Sequence, residues 1–402
     1  MKYQHTSFPK QDPYHALQIP VYQSVAFEFD TAEEMEAAFT GKSAEHCYSR
    51  ITNPTVQFFE DRVRTITGAS GVTALNSGMA AISNALLTLA WSGCNIVTSP
   101  HLFGNTYSLL VSTLKSFGVE TRFCDLTNPS EVQEAMDENT AALFLEIITN
   151  PQLEVADLKA LSAVAKEAGV PVVADTTIVP FCAWSAKAFG IDIELISSTK
   201  YISGGATSLG GLILDYGTFD WRKSPKLADM ARQFGPFAFT FKLRREIHRN
   251  LGAYMTPQVA YQQIVGLETL PLRFERAASS CLELAKRLQS VEGIVSVNFT
   301  GLSDNPYYEL SLAQFGTLPG AMMTIDLDSR ERCFAFMNKL KLIKRATNLF
   351  DNKSLAIHPA STIFGTFTAD VRAEMDVRDT TIRLSIGLEN VDDLFNDIVQ
   401  SL

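Results

Sequence analysis

Between Ala69 and about Asp215, short apolar runs alternate with helical patterns, and this alternation constrains the fold more than any other feature of the chain. The runs NIVTS from Asn95, VETRFC from Val119, AALFLE from Ala141, VPVVAD from Val170, ELISST from Glu194 and GGLILD from Gly210 read as buried strands. Between several of them lie MAAISNALLTLA, SLLVSTLKSF and LKALSAVAKEAG, which read as helices; the last stops at Gly169, with Pro171 just beyond. Strands alternating with helices predict a mostly parallel α/β sheet covered on both faces. Ligands of such sheets sit beyond the carboxyl ends of the strands, at helix N-termini.

The flanks differ in character. The first stretch, 1–67, reads as an irregular arm through YSRITNPT (Tyr48 to Thr55), followed by a helix from Val56 to Thr65. The sheet region is expected over 68–255. From 256 to 402 a long helical region (Thr256 to about Gln289), the runs IVSVNF, AMMTIDL and TIRLSIG, and a helix from Arg330 to Leu340 predict a smaller α+β C-terminal domain.

Composition removes several function classes. The 402 residues carry a net charge of -10, and the densest basic cluster (Lys242, Arg244, Arg245, His248, Arg249) reads as one helix face. No basic stripe for nucleic acid is present. No run is long and apolar enough to span a membrane, and the segment MKYQHTSFPKQDPYHALQIP lacks a secretory pattern, so a cytoplasmic location is expected. Cys47, Cys94, Cys124, Cys182, Cys281 and Cys333 form no CxxC pair, and the six histidines show no ligand spacing, so neither a disulfide framework nor a metal is expected.

Four pieces fall where a parallel sheet places ligands. Ser77-Gly78-Met79 precedes a helix, where backbone amides and the helix N-terminus favour an anion; alone, such a pair is an ordinary helix cap. Asp175 ends VPVVAD and is followed by Thr176 and Thr177; a carboxylate there needs a cation or hydrogen-bond donors. In Ser197-Ser198-Thr199-Lys200-Tyr201, hydroxyls suit a phosphate and the lysine a carbonyl, although a lone lysine is more often solvated. Arg383, inside Ile382-Arg383-Leu384-Ser385, suits a carboxylate or an internal salt bridge. Together they fit pyridoxal 5'-phosphate: an anion cradle (Gly78, Met79, Ser197, Thr199), an amine for the aldehyde (Lys200, as a Schiff base), and an acid for the ring nitrogen (Asp175). A nicotinamide dinucleotide would call for G-x-G-x-x-G after a strand, which the chain lacks.

The order of these motifs resembles the Cys/Met-metabolism family of pyridoxal-phosphate enzymes, fold type I. YSRITNPT, LNSGMAAI, EIITNP, VADTT, SSTKYISGG, HPAST and IRLSIGLE each resemble a family motif, along nearly the whole chain. Stretches such as GLSDNPYYELSLAQFG, with its insertion at Pro306-Tyr307-Tyr308, and NLFDNKSLAIHPAST lean toward the O-acetylhomoserine sulfhydrylase branch. The resemblance implies that Tyr48 and Arg50 reach a neighbouring subunit's phosphate. It further implies that Asn150 bonds the ring hydroxyl and that Ser361 and Arg383 hold the substrate carboxylate, and it sets Thr177 among the cofactor-binding residues. It implies a homotetramer and γ-replacement on O-acetyl-L-homoserine with sulfide, giving L-homocysteine and acetate, with Lys200 as the base. A methionine or cystathionine γ-lyase, and a relative dependent on a protein sulfur carrier, are the competing readings. The chain departs from the family pattern at Leu102-Phe103-Gly104-Asn105: Phe103 can stack on the cofactor but has no hydroxyl where relatives carry tyrosine, and Asn105 stands where methionine γ-lyases usually have cysteine. Ile196 and Ala206 stand where relatives often carry histidine.

Overall fold

The apolar runs of the first half assemble into one seven-stranded sheet in the computed structural model, which describes residues 3–4 and 14–402. Most of the segment MKYQHTSFPKQDPYHALQIP, residues 1–2 and 5–13, lies outside the described residues. The strands are β1 (Gly71–Leu75), β2 (Asn95–Thr98), β3 (Glu120–Phe123), β4 (Thr140–Glu146), β5 (Val172–Asp175), β6 (Ile193–Ile196) and β7 (Gly211–Asp215), in the order β1-β7-β6-β5-β4-β2-β3. The pairs from β6 to β3 are parallel, and β7 runs antiparallel to both neighbours. The sheet is mostly parallel, as the alternation predicts. β4 is buried along its full length because helices cover both faces.

The helices start and stop where local chemistry allows. α1 (Ala32–Thr40) opens with a capping box, Thr31 bonding Glu34 and Glu34 reaching back, yet it buries none of its residues in this chain. α2 (Pro54–Thr67) begins two residues before the expected Val56: Asn53 is its cap and Pro54 its first residue, so the NPT of the arm is a helix start. α3 (Gly78–Leu89) is capped by Ser77, whose hydroxyl accepts from Ala80 N–H. Two expectations need correction. SLLVSTLKSF is a short α-helix running into π and then 3₁₀ turns. The helical region after Thr256 is two helices, Pro257–Glu268 and Leu270–Leu288, broken at Thr269 ahead of Pro271.

The C-terminal part forms a second sheet from β8 (Ser296–Asn298), β9 (Met322–Asp326), β10 (Lys344–Arg345), β11 (Leu355–Ile357) and β12 (Thr381–Ser385), ordered β10-β11-β12-β9-β8. One apolar core joins a face of the large sheet (Leu145, Leu212) to the small sheet and its helices (Leu284, Ile325, Ile382, Leu394). The other face packs separately around Leu86, Phe144, Ile213 and Trp221. All six cysteines are free thiols, five of them buried. Among the described residues no helix is long and apolar enough to cross a membrane, and no group of three His, Cys, Asp or Glu is placed to hold a metal ion.

Candidate active site

The carboxyl ends of β4, β5 and β6 open on a cavity of about 240 Å³. It brings together Gly78, Met79, Phe103, Asn150, Asp175, Thr177, Ser197, Thr199 and Lys200. Ile82, Ile148, Ile178, Leu209 and Leu349 complete the wall, so the polar groups face one another across apolar surface.

Three loops make the anion cradle. The N–H groups of Gly78 and Met79 open α3, where the helix dipole favours negative charge. Gly78 lies so close to the loop after β6 that an added Cβ would stand 2.7 Å from Ser197 Cβ. At the start of β7, a Cβ on Gly211 would collide with the Ser77 carbonyl oxygen. Glycine at both positions is thus a packing requirement. Thr177 braces the same loop, its hydroxyl accepting from Ser197 N–H at 2.9 Å. The Thr199 hydroxyl faces the cavity rim but is already engaged with Gly210, donating to its carbonyl and accepting from its N–H.

Lys200 follows β6 and caps a single 3₁₀ turn, Tyr201–Ser203, which the Tyr201 ring anchors by stacking on Phe350 at 4.3 Å. The lysine Nζ donates to Asn348 Oδ1 at 2.7 Å. Burial, then the charge of Arg383, lowers the amine to about 8 against the opposing pull of Asp175. Burial raises the Asp175 carboxyl, while the Thr177 hydroxyl and N–H and the Lys200 charge hold it down. Asp175 also accepts the Thr177 N–H at 2.9 Å.

Arg383, 3 % exposed on β12, donates to Asn150 Oδ1 (3.1 Å) and to the Asn348 carbonyl (2.8 Å), and burial lowers it to about 9. Its buried Nε has no partner among the described residues. Neither Arg383 nor Ser361 lines the cavity wall itself. Ser361 is exposed and tied to His358, its N–H and hydroxyl both meeting His358 Nδ1. Asn348 stands between Lys200 and Arg383. Its loop is held by Phe350, at φ 57°, whose N–H donates to Ser385 Oγ at 2.7 Å. A bulky residue in the left-handed region is strained and persists only where its surroundings fix it.

Tyr48 and Arg50 lie away from this cavity. Tyr48 is 38 % exposed, and Arg50 donates to the Arg249 carbonyl and lines a separate hollow with Glu60, Arg244 and His248. Asn105, Ile196 and Ala206 are also absent from the cavity wall; Ile196 is core, and Ala206 adopts φ 55° with its N–H on Ser203 Oγ. Two residues at the site had no role assigned from sequence, Glu146 and Asn348. Both sit inside motifs quoted above, EIITNP and NLFDNKSLAIHPAST, so the signal was present in the pattern but not in the residue chemistry.

The donor set fits pyridoxal phosphate. It offers a buried amine lowered toward neutrality, an acid at a parallel strand end, a glycine-backed helix N-terminus, and a buried guanidinium with one unpartnered nitrogen. Comparisons agree. The model of the family described as Cys/Met metabolism PLP-dependent enzyme matches residues 3–402. O-acetyl-L-homoserine sulfhydrylase of Corynebacterium glutamicum is 34 % identical over 95 % of this chain and 92 % of that protein. A Thermus thermophilus protein of the same description is 34 % identical over 99 % of this chain and 98 % of its own length. Among solved structures, an O-acetylhomoserine (thiol)-lyase from Campylobacter jejuni, containing N'-pyridoxyl-lysine-5'-monophosphate, superposes with TM-score 0.93 at 30 % identity over 100 % of this chain and 98 % of that one. The O-acetylhomoserine sulfhydrylase of Wolinella succinogenes, described with a novel mechanism of sulfur transfer, has TM-score 0.79 at 45 % identity over 88 % of this chain and 99 % of that one. The chain is therefore a member of the Cys/Met metabolism PLP-dependent enzyme family.

Proposed function

We propose that the protein catalyses γ-replacement on O-acetyl-L-homoserine, with sulfide as nucleophile and L-homocysteine and acetate as products. The observation that carries this reading is the Lys200 amine, lowered to about 8 and held at 2.7 Å by Asn348, in the cavity that also presents Asp175. Bound pyridoxal phosphate supplies an aldehyde for the substrate nitrogen and a ring that accepts electrons from the α-carbon.

The chain's own residues do the rest. The Gly78 and Met79 amides, the Ser197 hydroxyl and the Thr199 hydroxyl, once its hydrogen turns from the Gly210 carbonyl, bind the phosphate, and Asn150 bonds the ring hydroxyl. Asp175 holds the proton on the ring nitrogen. Arg383, with Asn348 beside it, binds the substrate carboxylate, for which a planar two-pronged donor is suited. Lys200, once displaced by the substrate amine, takes the α-proton and then moves a proton at the β-carbon; an amine with a pKa near the working pH suits both tasks. Phe103 stacks but donates no proton, and acetate leaves as a carboxylate that needs little acid assistance.

The three-part organisation (1–67, 68–255, 256–402) and a cytoplasmic homotetramer belong to the same reading. It is supported by the separate sheets, by an α1 that buries nothing in its own chain, and by Arg50 facing away from its own cavity. The test is to incubate the holoenzyme with O-acetyl-L-homoserine, with and without sulfide, and to follow homocysteine against 2-oxobutanoate. Sulfide-dependent homocysteine is expected, and Lys200→Ala abolishes it. Near-normal turnover by that variant, or oxo acid formed from methionine, overturns the reading. The second reading, sulfur delivered by a carrier protein, is motivated by Phe103 and Asn105, which depart from the family pattern in the loop at the cavity. It requires that free sulfide fail and that a thiocarboxylate- or persulfide-bearing protein restore homocysteine.

A further inference from the structure

β4 and β5 end side by side, and Glu146 and Asp175 are partners in register. Register partners on adjacent strands point to the same face of a sheet, and both side chains line the cavity. The reaction derived above uses Asp175 and leaves Glu146 without a task. Glu146 is 8 % exposed. Its Oε1 accepts the Phe103 N–H at 2.7 Å, and the Asn150 main chain supplies a second bond. One carboxyl therefore holds two loops: the one carrying Phe103 and the one carrying Asn150.

We propose that Glu146 is a positioning residue that pins the Phe103 main chain to the strand end carrying Asp175 and so fixes where the Phe103 wall stands. The proposal deepens the function above and rests on it for the meaning of that wall. Phe103 occupies the place of a tyrosine but lacks the hydroxyl that would tie its ring to polar neighbours. Its main chain is its polar anchor. The helix it precedes, Gly104–Ser108, is a little over one turn long, and Phe103 gives it no side-chain cap. On the other side Gly104 packs so closely on the Ile363 carbonyl that a Cβ would stand 2.8 Å from that oxygen. The wall is thus held between Glu146 and the segment after β11.

The charged and titratable groups around Glu146 come from several elements. Asp175 faces it from β5, and Lys200 lies across the cavity. Arg383 reaches Asn150, which follows β4. On the far side Glu146 shares a small hollow with His101 and Glu154. Burial would lower His101, but its bond to Glu154 and that residue's charge outweigh burial and raise it, so the two compensate each other. Burial first, then the Asp175 charge, pushes Glu146 up to about 8. The Phe103 and Asn150 N–H groups oppose that shift, because they bond the ionised carboxylate more strongly than the neutral acid.

The experiment is amide hydrogen exchange of residues 102–108, read by mass spectrometry in the cofactor-free protein and corrected for the intrinsic pH dependence of exchange. It compares the native chain with Glu146→Gln, which keeps a neutral acceptor, and Glu146→Ala, which removes it. Protection in Glu146→Ala falls about tenfold below the native protein's, and in Glu146→Gln, which keeps an acceptor, it stays within about threefold of it. With cofactor bound, kcat falls about tenfold in Glu146→Ala and less in Glu146→Gln. Protection in Glu146→Ala equal to the native protein's, or a loss in Glu146→Gln as large as in Glu146→Ala, overturns the proposal. Because the exchange readout needs no turnover, homocysteine formation with an unaltered exchange pattern sinks this inference alone. The expected exchange pattern without homocysteine sinks only the reaction.

Discussion

Lys200 titrates under three influences that the structure separates: burial and Arg383 push the amine down, and Asp175 pulls it up. Asn348 sits nearest, accepting one of its hydrogens. Asn348→Asp places an anion there, which favours the ammonium form; the acidic limb of the kcat pH profile, where the displaced lysine is the base, is expected to move up by about one unit, a shift worth about 1.4 kcal/mol. Stability carries the same signature. The unfolded lysine binds its proton up to 10.5 and the folded one only to about 8, so the unfolded state holds more protons between those values. The apo-protein's Lys200 penalty, about 3 kcal/mol, is therefore full below pH 8 and is relieved as pH rises toward 10.5. Urea denaturation of the native chain against Lys200→Met is expected to show a difference that shrinks over that window. A difference independent of pH would contradict the lowered amine.

At the scale of elements, close approach does what side-chain chemistry cannot. α3 meets the loop after β6 through Gly78, and Gly78→Ala would drive a methyl into Ser197. Pyridoxal phosphate affinity is expected to fall at least about tenfold, measured by equilibrium dialysis, with little change in the helix signal of circular dichroism. β6 carries a second buried acid, Glu194, which is fully buried and accepts from the hydroxyls of Thr176 and Tyr216. Glu194→Ala leaves both hydroxyls unpaired in the core, and a loss of about 3 kcal/mol in urea denaturation is expected. Elements of this kind mark the limit of what sequence disclosed. Runs such as AALFLE, VPVVAD and GGLILD were legible because strands buried on both faces are mostly apolar. Lys200 and Asp175 were legible because they end such runs. α1 was missed although Thr31 and Glu34 spell a capping box, because its residues show no buried stripe to read. Glu194 was read only as part of ELISST, since an acid inside a strand announces nothing until its two hydroxyl partners, from flanking strands, are seen. Asn348 shows the same limit from the other side: that it meets Lys200 depends on the path of the loop between β10 and β11, where Phe350 stacks on Tyr201.

At the scale of the whole molecule, the cavity is built from one chain but the arm is not turned toward it. Tyr48 is exposed and Arg50 faces another hollow, while Met35 and Phe39 of α1 stand 49 % and 44 % exposed. If the arm serves a neighbouring site, Arg50→Ala and Lys200→Ala damage different halves of one site. Each variant alone is expected to have little activity. Mixed and reassembled from denaturant, they are expected to regain up to about a quarter of the native rate, because some mixed assemblies contain a site with both residues intact. No recovery on mixing would argue that the arm acts within its own subunit. Sedimentation of the native protein as an active monomer would do the same.

The placement of Arg383 on β12 has a consequence for synthesis. Lys200 is made 183 residues before the arginine that reaches Asn150 and Asn348. On a translating ribosome the first sheet has all its strands long before that arginine leaves the exit tunnel. With the roles proposed above, a nascent chain presents an amine and a phosphate cradle while it still lacks the grip for an amino acid's carboxylate. Cofactor capture can then come first, and substrate recognition waits for β12.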